Sequence, residues 1–135
     1  MRHTFPKAEH LCLQRDIEAL FSPGRYSHSA FPLRIVVRPM PYDGSGTRVK
    51  VLLSVSKRKL RHAVDRNRVK RQIREGYRLQ KNDFIALLPA DVALHIAFIW
   101  LSDKPENSTF IHKRLLLLLQ RTADRFANSS TPPTS

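Results

Sequence analysis

From Lys57 to Arg74 the chain sets nine Lys and Arg side chains against a single carboxylate, Asp65. Charge at this density resists burial, so the segment folds only if it can keep that charge in water while something else anchors it. An anchor is present. On a helix, Val69, Ile73 and Tyr77 fall one turn apart and make an apolar edge, whereas Asn67, Arg71, Arg74 and Arg78 gather on a different face. The spacing therefore predicts a helix over residues 62–80 with one edge in the core and one studded with guanidinium groups. Asp65 lies in its first turn, at the positive end of the helix dipole. Lys70 borders the basic face, Arg66 and Arg68 stand near the helix start, free to splay, and Lys57, Arg58, Lys59 and Arg61 lead in.

The rest of the chain divides at its turn residues. Residues 8–21 read as a helix, with Leu13, Ile17, Leu20 and Phe21 at helical spacing and Ser22-Pro23-Gly24 as the stop. Phe31, Leu33, Ile35 and Val37 alternate with Pro32, Arg34 and Val36, the pattern of a strand with one buried face. After a Pro- and Gly-rich connector at 39–46, a second strand spans 49–55, and the two are expected to pair antiparallel. A short helix over 82–88, stopped by Pro89, and a buried strand over 92–101 follow the basic helix. A final helix over 110–126 carries Leu115 to Leu119, a run that another layer must cover. The expected order is α-β-β-α-β-α, an α+β fold built as a small α/β sandwich with helices on one side of three or four strands. Residues 1–126 are read as one domain, and residues 127–135, rich in Ser, Thr and Pro, as a disordered tail.

Twenty-four Lys and Arg against eleven Asp and Glu leave a formal charge of +13, which draws the chain to polyanions. No apolar run reaches the length of a membrane span, and the first residues do not read as a secretory signal. One cysteine, Cys12, excludes an internal disulfide and a thiolate zinc cluster, and points to a reduced, cytoplasmic setting. The six histidines show no paired spacing on a common helix, and carboxylates are few, so no catalytic residue and no metal site is assigned to the protein. Asp65 and Glu75 read as a helix-start charge and a partner for Arg71 or Arg78. Arginine forks match phosphate oxygens and stack on bases, and Asn can pair with a base edge or a sugar hydroxyl, so the basic helix points to folded RNA.

The string from Ser56 to Glu75, with Arg66-Asn67-Arg68 at its centre, resembles the signature of the bacterial ribonuclease P protein. The likeness extends over about residues 5–126: a Phe-Pro-Lys start, a helix ending at Phe21, two strands, the signature, a third strand and a terminal helix. It implies a sheet with a left-handed βαβ crossover, although such crossovers are right-handed in about 98% of folds. It also implies a protein subunit that helps a catalytic RNA remove the 5′ leader from precursor tRNA, with Mg2+ held mainly by the RNA subunit. On that likeness Arg66, Asn67, Arg68, Lys70, Arg71 and Arg74 contact the ribonuclease P RNA, flanked by Lys57, Arg58, Lys59 and Arg61. A cleft between the first helix and the sheet receives the leader, and Ile17, Phe21, Leu33 and Ile35 match its lining. Ile17 stands where relatives often carry Phe, and Leu101-Ser102-Asp103-Lys104 replaces their more basic turn.

Three rivals remain at this level. A ribosomal-type or other structured-RNA-binding protein without nuclease association predicts no stimulation of precursor cleavage. A DNA-binding helix-turn-helix protein is disfavoured because the basic helix follows a strand, with no short helix and turn before it. A membrane-surface helix is disfavoured because the apolar edge is narrow and better explained as core.

Overall fold

The computed structural model describes residues 14–21, 26–44 and 46–129. The elements are α1 (Gln14–Leu20), β1 (Tyr26–Ala30), β2 (Leu33–Pro41), β3 (Val49–Ser54), α2 (Ala63–Ala86), β4 (Val92–Trp100) and α3 (Ser108–Ser129). The strands form one sheet in the order β1-β2-β4-β3. Antiparallel pairing joins β1 to β2 and β2 to β4, whereas β3 and β4 run parallel, connected through α2. The composition of β4 explains its central place: Leu94, Ile96, Phe98 and Trp100 fill one face and Ala93 and Ala97 the other, so it is apolar on both sides.

Helices α2 and α3 lie together on one face of the sheet. The main core forms there from Leu33, Ile35 and Val37 of β2, the large side chains of β4, Val69, Ile73, Tyr77 and Phe84 of α2, and Ile111, Leu115, Leu118 and Leu119 of α3. The leucine run of α3 is thus covered by both sheet and α2. On the opposite face α1 sets Leu20 against Val36 and Ala97, with Ile17, Leu52 and Ile99 around them.

Several expectations are corrected. The strands at 33–41 and 49–54 do not pair, because β4 lies between them. Polar Tyr26-Ser27-His28-Ser29-Ala30 forms an additional edge strand, and β2 continues through Pro39 and Pro41 instead of ending at the first of them. Helices cover both faces of the sheet, not one. No break separates the basic helix from residues 82–86: α2 continues to Ala86 because Phe84 lies two turns beyond Tyr77 on the same buried edge. The final helix reaches Ser129, so residues 127–129 belong to it and not to a tail, while 130–135 lie outside the described residues. Cys12 and the first part of the expected 8–21 helix also lie outside them.

Arg48 serves the fold directly. It donates through Nε to Val92 O at 2.9 Å, and through Nη2 to Leu88 O at 3.2 Å and to Pro89 O, while its guanidinium lies 5.4 Å from the Tyr42 ring centre. It ties the start of β3 to the carbonyls left open where α2 ends and the chain turns into β4. Arg48→Ala is expected to lower stability by about 2 kcal/mol, and Arg48→Lys to recover little, since an ammonium cannot reach several carbonyls as a planar fork. Urea melts of the three proteins measure this.

Candidate RNA interface

The basic helix is rigid because both its ends and its buried edge are held. At the start, Leu60 is buried and its N–H donates to Ser56 O at 3.1 Å, fixing the turn that carries Lys57, Arg58 and Lys59. Arg66 Nη1 donates to Leu60 O at 2.8 Å and to Arg61 O at 2.9 Å. It therefore clamps this turn to the helix and does not splay outward, a correction to the expectation that it is free. Along α2, Gln72 Nε2 donates to Ser108 Oγ at 2.8 Å, and His112 Nε2 donates to Gln72 O at 3.1 Å, joining α2 to the first turns of α3. Gly76 allows the closest approach of the two helices: a Cβ at that position would lie 2.7 Å from Leu115 Cδ2 and 2.8 Å from His112 Cδ2.

The opposite side of α2 presents Asn67, Arg68, Arg71 and Arg74, all exposed, with Lys70 half-buried at their edge. Among the described residues, Arg68, Lys70, Arg71 and Arg74 have no carboxylate partner, and neither do Lys57, Arg58, Lys59 and Arg61 of the preceding turn. Arg78 differs. It forms an ion pair of 2.5 Å with Glu75, and this hydrogen bond holds the Glu75 carboxyl below its usual range and raises Arg78 further. Arg78 thereby leaves the set of unpaired cations, although its spacing puts it on the same face. Lys104 and Asp103, from the turn after β4, border a shallow hollow of about 350 Å³ against residues 58–62, so the departure at 101–104 adjoins the basic turn.

The second expected site is rearranged. Ile17 is half-buried and Phe21 is 46% exposed at the end of α1, where both can face a cleft. Leu33 and Ile35 cannot line it. Both are fully buried on the other face of the sheet, against α2 and α3. Alternation along β2 decides it: side chains two apart share a face, so the α1 side belongs to Arg34, Val36 and Arg38. Strand register completes that surface. Val36, Ala97 and Leu52 form one row across β2, β4 and β3, and Arg38, His95 and Lys50 form the next. The residues of this α1-facing side escaped sequence reasoning, although the polar phase of β2 was the signal for them.

Among the described residues no group of three or more His, Cys, Asp or Glu side chains is placed to hold a metal ion, and no helix is long and apolar enough to cross a membrane. A surface of unpaired cations on a braced helix can grip a polyanion. The family model described as Ribonuclease P matches residues 5–122. The chain belongs to the ribonuclease P protein family. A Porphyromonas gingivalis ribonuclease P protein component is 36% identical over 130 residues, covering 92% of this chain and 90% of that one. The component of Staphylococcus carnosus is 36% identical over 91 residues, covering 67% and 75%. Among solved structures, the Thermotoga maritima ribonuclease P protein superposes with a TM-score of 0.63 at 25% identity, covering 84% of this chain and 96% of that one. The Staphylococcus aureus protein, at 21% identity, gives a TM-score of 0.65 over 89% and 99%. The fold is thus the α+β ribonuclease P protein fold, and the chain is a protein component of an endoribonuclease ribonucleoprotein that processes tRNA, with RNA as its partner.

Proposed function

We propose that the exposed face of α2 seats on the RNA subunit of ribonuclease P, and that the α1 side of the sheet receives the 5′ leader of precursor tRNA. The observation that carries this reading is the row Arg68, Arg71 and Arg74. It stands on a helix whose other edge is locked in the core, and among the described residues no carboxylate pairs with it. The braced helix fixes where these guanidinium forks start, so meeting phosphates orders side chains and not backbone. For the leader, Phe21 and Ile17 offer apolar contact on the face of the sheet that also carries the partly exposed Arg38 and Lys50, a combination suited to a single strand held without strict sequence choice.

On this reading Mg2+ is held mainly by the RNA subunit, where it would supply activation of water and stabilisation of the leaving oxygen. The protein's share is to neutralise phosphates near that centre and to position the substrate, in the cytoplasm where precursor tRNA is made. Cleavage of a precursor tRNA by the RNA subunit at low Mg2+ tests this. Addition of the chain is expected to raise the rate at least tenfold and to favour precursor over mature tRNA in binding. Unchanged cleavage, with equal affinity for both tRNAs, would point to the ribosomal-type alternative, a structured-RNA binder without nuclease association.

A further inference from the structure

Helix α3 carries a second row of guanidinium groups, on the flank beside β1. Arg114, Arg121 and Arg125 are spaced seven and four residues apart, which places them on one helical face over about 16 Å. The side of α3 that meets α2 is a different one, marked by His112 and Leu115 against Gly76. Each of the three arginines rests on a neighbour. The Arg114 guanidinium lies 5.3 Å from the Phe110 ring centre, that of Arg125 lies 5.0 Å from the Tyr26 ring centre, and Arg121 Nη1 donates to His28 Nε2. Burial and then the Arg121 charge hold His28 below its ordinary pKa, which favours the neutral imidazole that accepts from Arg121. Among the described residues none of the three arginines has a carboxylate partner, although Asp124 lies between two of them in sequence.

A guanidinium stacked on a ring keeps its N–H edge available for phosphate oxygens. One face of each ring is taken by a guanidinium, so the contact offered is mainly to the sugar–phosphate backbone. We propose that this α3–β1 edge is a second RNA-binding surface, which takes the phosphate backbone of an RNA segment other than the one seated on α2. With two cationic faces on different flanks of the helical layer, the chain bridges two parts of one folded RNA. The inference rests on the RNA-binding role proposed above and extends it to a surface outside the signature.

The test is equilibrium binding of the full chain to ribonuclease P RNA between about 50 and 200 mM salt, together with backbone footprinting. The R114Q/R121Q/R125Q variant is expected to reduce the slope of log affinity against log salt by about 2–3. It should also lose protection of one RNA segment while keeping the segment that R71Q/R74Q loses. The corresponding triple Lys variant, which keeps the charge, should hold a slope near that of the wild type. If the Gln variant melts far below the wild type, single R114Q and R121Q proteins serve instead, each lowering the slope by about 0.8. A wild-type slope and footprint in folded α3 variants overturns the proposal and leaves the α2 reading standing. So does an effect confined to vesicles of anionic lipid. Loss of the α2 contacts without effect on RNA binding overturns the proposed function instead.

Discussion

An Arg68→Glu, Arg71→Glu protein is expected to bind ribonuclease P RNA about 10²–10⁴ times more weakly than the wild type. The reasoning starts from exposure: both side chains stand in water on α2, and neither has a carboxylate partner among the described residues. The fold does not use their charge, so thermal stability should stay within about 0.5 kcal/mol. In the complex each contributes a charged hydrogen bond of about 1.5–3 kcal/mol. Losing two amounts to about 3–6 kcal/mol, or two to four decades in affinity, and the added repulsion only increases it. Filter binding at moderate salt reads the result directly. A loss under threefold would mean that the helix face is a solvated surface and not the interface.

The second large effect concerns the frame that presents this face. Gly76→Val is expected to destabilise the protein by about 3 kcal/mol and to lower the melting temperature by about 10 °C. A first added carbon already meets Leu115 Cδ2 at 2.7 Å and His112 Cδ2 at 2.8 Å, and valine brings two more. Neither neighbour can turn aside cheaply, because Leu115 is fully buried and His112 is tied to Gln72 O. The helices must separate, which opens the packing of Ile73 and Tyr77 against α3. Calorimetry measures the shift, and a melting point within about 2 °C of the wild type would contradict the close approach.

What the sequence disclosed follows from where periodicity was unambiguous. Val69, Ile73 and Tyr77 announced the buried edge of α2, and with it the exposed position of Arg68, Arg71 and Arg74. The same period continues to Phe84, through the stretch expected as a separate short helix over 82–88. Strand pairing was less accessible. Neighbouring strands usually pair, yet here β4 enters between β2 and β3, a placement that depends on which strand is apolar on both faces. Strand β1 was hidden because an edge strand with one half-buried face has little apolar signal. The cleft expectation fails at Leu33 and Ile35 because both serve the core, and side chains on that face of β2 cannot also line the α1 side. Arg66 and Arg48 show the limit of counting charge, since both spend their donors on backbone carbonyls.

The orientation of α2 on the RNA can be measured by directed hydroxyl-radical cleavage from a tethered iron chelate. Val64 is 78% exposed at the start of the basic face and Leu87 is 56% exposed just beyond the other end of α2, so a cysteine at either position, with Cys12 replaced by Ser, carries the probe without touching the cations. The account predicts strong cuts in the ribonuclease P RNA from Val64→Cys and weak or absent cuts from Leu87→Cys. Equal cutting from both positions, or none from Val64→Cys in a complex that still assembles, would contradict it.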